Sequence, residues 1–264
     1  EEEVEYLYWV GCVASLDDRN RKIARAVSTI LQKAGVSFGV LGPEEKCCGD
    51  PLRRTGNEYQ YFEIAEGNVE LLKELGVKKI ITACPHCYNT LKNDYPQLGG
   101  NFEVYHHTEI IAKLAQEGKI KISSNLEGIT TYHDPCYLGR HNKEFDAPRE
   151  TLKLAGSVTI EMPRNSAKSF CCGAGGAQMW KEEEAGSGRV NEARYREAKG
   201  TGTETVAVGC PFCMVMLSDA GKDAEDLLQS AATDLIKNWK VRDALKPDRS
   251  VEAIYFVGSV AAVH

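Results

Sequence analysis

The sequence predicts an α/β protein made of two pseudo-symmetric βαβ-type lobes, each with a mostly parallel sheet and a cysteine site at the C-terminal ends of its strands. Three observations carry this reading. All ten cysteines fall into one pattern used twice, with Cys12, Cys47, Cys48, Cys84 and Cys87 recurring as Cys136, Cys171, Cys172, Cys210 and Cys213. The register is nearly constant: 12 to 136, 47 to 171 and 48 to 172 are each 124 residues, while 84 to 210 and 87 to 213 are each 126. Finally, strand-like and helix-like segments alternate between the cysteines in the same order in both halves.

In the first half, residues 5–10 alternate and are rich in aromatics, which reads as a strand running into Gly11-Cys12. Ile23, Val27, Ile30, Leu31 and Ala34 recur at helical spacing, and Gly35 is a natural stop. Residues 36–41 form a second expected strand, followed by a loop over 42–50 that holds Cys47 and Cys48. A helix from about Asn57 to Gly76 carries Ile64, Val69, Leu71, Leu72 and Leu75 on its apolar face. Residues 77–82 are the third strand, ending at Cys84-Pro85-His86-Cys87, with a short helix over 88–95. A strand at 102–105 and a helix at 108–117 close the half.

The second half repeats this order. A strand at 129–133 ends at Cys136, a helix covers 149–155, and a strand at 158–161 leads towards Cys171 and Cys172. A helix over 189–199 and a strand over 205–208 then precede Cys210-Pro211-Phe212-Cys213. The repeat divides the chain into a first lobe at 1–124, a second at 125–231 whose last part, 222–231, reads as a terminal helix, and an appended segment at 232–264 that docks on the second lobe or on a partner. Every cysteine group follows an expected strand, so the five thiols of each lobe should gather at one edge of its sheet.

Composition narrows the function classes. With 42% hydrophobic and 27% charged residues over 264 positions the chain is globular, and no run approaches the roughly 18 apolar residues of a membrane helix. The balance of 32 basic to 38 acidic residues gives a net charge of −6, without a basic cluster interleaved with aromatics, so no nucleic-acid partner is expected. The acidic start, Glu1 to Glu3, lacks the basic region of a signal peptide, and the missing initiator Met points to residues upstream.

Four chemistries compete for two sets of five cysteines. Disulfides suit small secreted domains and would require a vicinal bridge at Cys47-Cys48 and at Cys171-Cys172. A thioredoxin-like dithiol would use Cys84-Pro85-His86-Cys87 but leaves the other thiols idle. Structural zinc needs four ligands, so five thiols overshoot the count, although either lobe could hold zinc with one thiol to spare. Iron-sulfur clusters use thiolates almost exclusively, and neighbouring cysteines that diverge along the backbone can reach two irons of one cluster.

The two sets, with Cys-Cys-Gly at 47–49 and 171–173, resemble the tandem CCG (cysteine-rich) domain of heterodisulfide reductase catalytic subunits and related iron-sulfur oxidoreductases. His133-Asp134-Pro135-Cys136-Tyr137-Leu138-Gly139-Arg140 and Phe170-Cys171-Cys172-Gly173-Ala174-Gly175-Gly176 resemble that family's second-repeat signatures. The resemblance implies that the ten cysteines hold two noncubane four-iron four-sulfur clusters facing each other across a substrate disulfide; in some relatives one site holds zinc or a simpler centre. Residues 173–184 look more like the version in oxidoreductases that link flavoproteins to membrane quinones. The implied partners are other redox subunits, iron-sulfur or flavoprotein, and a disulfide substrate or quinone-linked acceptor. The implied location is cytoplasmic, peripheral to a membrane complex.

Beside the thiols, Gly49, Gly173, Gly175 and Gly176 are expected to bring backbone N–H groups to cluster sulfurs. His133 is the candidate proton relay and Arg140 the candidate for holding cluster charge or an anionic substrate; His86 and His141 are weaker relay candidates, and His106-His107 reads as structural. Against the enzyme reading stand a non-catalytic electron-conducting subunit and a zinc-stabilised structural one.

Overall fold

The structure, a computed structural model, describes residues 4–123, 129–182 and 186–222, together with the backbone of three short strands further on. In chain order the elements are β1 (Tyr6–Trp9), α1 (Cys12–Leu16), α2 (Asp18–Lys33), β2 (Phe38–Gly39), α3 (Asp50–Arg54), α4 (Glu58–Glu74), β3 (Lys79–Thr82), α5 (Pro85–Asn89), β4 (Glu103–His106), α6 (His107–Gln116) and β5 (Ile120–Ser123). They continue with β6 (Ile129–His133), α7 (Asp146–Leu154), β7 (Val158–Thr159), α8 (Val190–Lys199), β8 (Thr205–Val208), α9 (Pro211–Lys222), β9 (Lys240–Asp243), β10 (Ser250–Glu252) and β11 (Val260–Ala262). Among the described residues no helix is long and apolar enough to cross a membrane.

The first sheet has the order β2-β1-β3-β4 and is parallel throughout. In the second, β7-β6-β8 is parallel and β11 adds an antiparallel edge beside β8. A third, antiparallel sheet, β10-β9-β5, joins the end of the first half to residues beyond 231. Parallel strands buried on both faces should be apolar throughout, and all four residues of β1 and of β8 are buried. Trp9 pairs with Thr82 and Thr82 with His106, while His133 pairs with Val208, so the strands of each sheet finish level with one another. Cys12, Cys84, Cys136 and Cys210 follow within three residues of those ends.

The core does not stop at the boundary between halves. One buried cluster contains Leu7, Trp9, Ile80 and Tyr88 from the first half together with Leu138, Val206, Phe212 and Met214 from the second, and it includes six of the cysteines. On the opposite side, α2 buries Ile23, Val27, Ile30 and Leu31 in a second cluster that also reaches across to Tyr132 and Leu152. Asp17 caps this helix by accepting the Asn20 N–H at 2.8 Å.

Several boundaries differ from the sequence reading. The strands expected at 36–41 and 158–161 shrink to two residues each, β2 and β7. Both are sheet edges, where half of the backbone groups have no strand partner and short strands are the rule. The helix expected at 88–95 starts earlier, at Pro85, since proline lacks only an N–H that the first helical turn would leave unbonded. It then widens into a π turn at Thr90–Asp94 and tightens into a 3-10 turn at Tyr95–Leu98. Neither α9 nor β5 has a counterpart in the sequence reading, and the terminal helix expected at 222–231 lies, past its first residue, outside the described residues.

One buried strut positions the first vicinal pair. Asn68 on α4 donates to the carbonyl of Cys47 at 3.0 Å and to the Tyr95 hydroxyl at 2.9 Å, and Tyr95 in turn donates to the carbonyl of Cys48 at 3.1 Å. Asn68→Ala should leave buried acceptors without their donor. At about 1–3 kcal/mol for an orphaned buried polar group, the urea midpoint of the apoprotein, followed by circular dichroism, is expected to fall measurably. An unchanged midpoint would show that the strut does not hold the loop.

Candidate metal centres

All ten cysteines are free thiols. The C-x2-C pairs sit at helix starts: Cys84 is the N-cap of α5 and Cys87 lies in its first turn, while Cys210 immediately precedes α9 and Cys213 lies inside it. The vicinal pairs come from the loops after the edge strands, and in each the second cysteine is buried and the first half-buried.

The two members of each vicinal pair face different thiols. In the first half the side chains interact in the sequence Cys12 to Cys47, Cys47 to Cys48, Cys48 to Cys87 and Cys87 to Cys84. In the second the sequence is Cys136 to Cys171, Cys171 to Cys172, Cys172 to Cys213 and Cys213 to Cys210. Cys84 also meets Cys210, so the ten sulfurs make one continuous chain with its midpoint between the halves. That midpoint is flanked by a second matched contact. His86 and Phe212, each the third residue of its C-x2-C motif, stack with centroids 4.3 Å apart at 29°.

Within each set the electrostatics single out the first vicinal cysteine. Hydrogen bonds from Cys12 and then Cys48, with the N–H of Gly49 at 3.4 Å, pull Cys47 down to about 3. Cys136 and then Cys172, with the N–H of Gly173 at 3.2 Å, push Cys171 well below the usual thiol range. The thiols on either side, Cys12 and Cys48, or Cys136 and Cys172, are raised by hydrogen bonding to that same anion. Burial pushes Cys84 up to about 12. Without a metal, each set holds its first vicinal cysteine as a thiolate and keeps the thiols beside it protonated; a bound metal cation would displace those protons and offset the charge of the thiolates left behind.

The glycines expected at the site divide. Gly49 and Gly173 both adopt φ near +90°, at +90° and +91°, and both turn their N–H onto the thiol two residues earlier, Cys47 and Cys171. A Cβ on Gly49 would lie 2.7 Å from the Tyr61 ring, and one on Gly173 3.1 Å from Val190. Gly175 and Gly176 stand in the following turn with open space where a Cβ would go, and Gly176 is exposed. Beside Gly173 a cavity of about 330 Å³ opens, lined by Gln178, Lys181, Arg189, Asn191 and Met216 among others.

The first cysteine of each set is fixed by a carboxylate, in two different ways. Glu45 accepts the N–H of Val10 at 2.9 Å and of Gly11 at 2.6 Å, just before Cys12. Asp134, just before Pro135-Cys136, is held bidentately by Arg149 at 2.7 and 2.9 Å and accepts the Ser166 N–H at 2.7 Å. Glu45 did not stand out in the sequence, because an isolated Glu in a loop has no spacing to mark it, and Asp134 appeared only as part of the 133–140 signature, with no role of its own.

His133 is fully buried. Burial, reinforced by the Arg194 guanidinium, lowers it to about 3, so its ring is neutral. A ring nitrogen of His133 and the sulfurs of Cys172 and Cys213 all lie within 4.8 Å of one another. Arg140 is exposed on the turn after Cys136, and exposed His141 stacks on Tyr137, ring centroids 4.7 Å apart. His86 is buried between Tyr137 and Phe212 and hydrogen-bonds Asp50 at 2.7 Å. His106 bridges the halves through the carbonyl of Gly209 at 3.1 Å, a structural tie. Asp50, Asn68 and Trp9 were not singled out by sequence; for Trp9 the 124-residue register was a usable signal, since it places Trp9 opposite His133.

The donor set therefore consists of two groups of five thiols backed by backbone N–H groups, a fit for soft, thiolate-bound metal. Several known proteins are similar to the chain over most of its length. The chain is 51% identical over 229 residues to an EtfAB:quinone oxidoreductase of Syntrophomonas wolfei, covering 84% of this chain and 32% of that protein. It is 46% identical over 244 residues to the "Probable iron-sulfur-binding oxidoreductase FadF" of Bacillus subtilis, covering 92% and 34%. To one subunit of the dihydromethanophenazine:CoB–CoM heterodisulfide reductase of Methanosarcina barkeri it is 38% identical over 249 residues, covering 89% and 60%. The chain thus spans about a third of the length of the first two relatives and less than two thirds of the third. The model of the cysteine-rich domain, CCG, matches twice, at residues 6–92 and 130–218. Since each matched segment encloses one complete five-cysteine set, the chain belongs to the CCG cysteine-rich domain family, in two tandem copies.

Proposed function

We propose that this chain is the cluster-binding part of an iron-sulfur oxidoreductase, with a noncubane four-iron four-sulfur cluster on each five-cysteine set. The observation that carries the reading is the divergence of the vicinal pairs. Cys47 turns to Cys12 while Cys48 turns to Cys87, and Cys171 turns to Cys136 while Cys172 turns to Cys213. A tetrahedral zinc needs four ligands converging on one point, whereas adjacent thiols aimed at different neighbours suit a centre containing several metal atoms. Such a centre supplies one-electron transfer. The Cys84–Cys210 contact places the two sets next to each other, so electrons can pass between them inside one chain.

The chain's own residues divide the remaining work. Gly49 and Gly173 offer N–H groups to sulfur, and Glu45 and Asp134 hold the two strand-end loops. Arg140, exposed beside the second set, is placed to attract an anionic group of a partner or substrate. We read the acceptor side as quinone-linked with a flavoprotein donor, supported by the 51% identity to the EtfAB:quinone oxidoreductase. On this reading the chain works at the cytoplasmic face of a membrane complex. A second reading, reduction of a disulfide by two electrons and two protons to two thiols, draws on the 38% identity to the heterodisulfide reductase chain.

Protein purified without oxygen is expected to contain iron and acid-labile sulfide in equal amounts. About two zinc ions per chain and no sulfide would sink the redox reading in favour of a structural role. Cys172→Ser should abolish the paramagnetic signal of one centre and leave the other, because Cys172 hydrogen-bonds Cys171 and Cys213 of its own set; loss of both signals in a folded protein would mean one shared centre.

With a one-electron donor as electron source, the protein is expected to reduce a water-soluble quinone and to release no thiols from a disulfide. Sustained thiol release, diminished at least tenfold by Cys210→Ser, would transfer the assignment to disulfide reduction. Intact clusters that reduce neither acceptor would leave an electron-conducting subunit.

A further inference from the structure

Trp9 and His133 are 124 residues apart, the spacing that relates Cys12 to Cys136, and each stands three residues before the first cysteine of its set. They end equivalent strands, β1 and β6, at the edge where the thiols gather. Both are completely buried, and both bury a ring nitrogen, Nε1 of Trp9 and Nε2 of His133, that has no hydrogen-bond partner among the described residues. A buried polar group without a partner costs about 1–3 kcal/mol. Tyr8 and Tyr132 bury unpartnered hydroxyls one position earlier, but Trp9 and His133 hold the strand-end positions that lead into the two thiol sets, where the described residues around them supply their N–H groups no acceptor.

For His133 the chemistry of that nitrogen is fixed from behind. Arg194, with no exposed surface, donates from Nε to Nδ1 of His133 at 2.9 Å, and its own guanidinium is anchored by the Arg164 carbonyl at 2.9 Å and by Glu197 at 3.1 Å. A guanidinium only donates. Nδ1 must therefore be the unprotonated nitrogen, and in the neutral ring Nε2 carries the hydrogen. An imidazole in this tautomer has no lone pair to give a metal at Nε2 and can only donate. A ring nitrogen of His133 and the sulfurs of Cys172 and Cys213 lie within 4.8 Å of one another, and the Cys171 thiol is also within electrostatic reach of the ring.

We propose that His133 and Trp9 are matched N–H donors to the sulfurs of the two centres, His133 as a positioning residue locked by Arg194 and not as a metal ligand. This rests on the iron-sulfur reading above. A hydrogen bond to a cluster sulfur stabilises the reduced, more negative state and raises its potential. The two centres are thereby set independently, one by an indole and one by an imidazole with a buried arginine behind it. Under the two cysteine registers, 124 and 126 residues, Arg194 falls opposite Glu70 or Asn68, neither of them a cation, so the locking guanidinium has no equivalent in α4.

The test is a redox titration of the two centres by electron paramagnetic resonance, with iron and sulfide measured on the same samples. In His133→Leu the reduced fraction of the second centre at a fixed potential is expected to fall about tenfold, ~59 mV for a one-electron couple, with the first centre unmoved. Trp9→Phe should do the converse. His133→Gln, whose amide can accept from Arg194 and donate to sulfur at once, should restore most of the shift, which a packing role would not. Wild-type protein labelled with ¹⁵N-histidine provides a readout free of folding effects. A weakly coupled nitrogen on the second centre is expected, and either the strong coupling of a ligating imidazole or no coupling would overturn the proposal. Full clusters with unshifted potentials in both variants would overturn it while leaving the iron-sulfur reading intact; zinc without sulfide would overturn both.

Discussion

The contact between Cys84 and Cys210 is the constraint on which the rest of the structure depends. It requires the C-terminal ends of two separate parallel sheets to face each other, and it requires both C-x2-C motifs to start a helix at that junction. The stacking of His86 on Phe212 and the bond from His106 to the Gly209 carbonyl close the same junction from either side. The shared core follows from it too. Six buried cysteines pack with apolar residues from both halves, so the thiol chain and the hydrophobic core are one continuous body and neither half has a separate interior on this side.

Much of this was legible in the sequence because cysteine spacing and strand periodicity are local signals. The alternation in residues 5–10 and the apolar run at 205–208 located β1 and β8, and the rule that sites form beyond strand ends placed each set at a sheet edge. What spacing and periodicity could not show was the meeting of the sets, which only the family resemblance implied. Cys84 and Cys210 are 126 residues apart, and no periodicity encodes which face of one sheet turns towards another. The edge strands were overestimated for a related reason: residues 36–41 and 158–161 carry strand-forming side chains, but pairing on one side only lets the chain depart after two residues. Supporting residues such as Glu45 and Asn68 were invisible because each acts through a few long-range hydrogen bonds to backbone groups.

The halves keep the thiol geometry and vary what surrounds it. Both use a glycine near φ +90° to aim an N–H at the first vicinal sulfur. Around that glycine the first half packs the Tyr61 ring, while the second has Val190, Met216 and a cavity of about 330 Å³. The loop before the first cysteine is held by backbone N–H groups on Glu45 in one half and by an Arg149–Asp134 fork in the other. A duplicated ligand set whose geometry is fixed by thiols and glycines can absorb such changes without losing its metal-binding capacity.

That freedom has a direction. If both centres were identical, an electron would have no preference between them, and the short path across Cys84 and Cys210 would pass charge equally both ways. Differences in the groups facing sulfur are what give a two-centre chain an order, since reduction potential follows hydrogen bonding, charge and solvent access at the sulfurs. Two differences between the halves, Trp9 against His133 and Tyr61 against an open cavity, lie at or beside the two thiol sets. The second set has the cavity and carries exposed Arg140 on its first loop, so under the proposed function it is the side at which an outside partner of the transfer would be met.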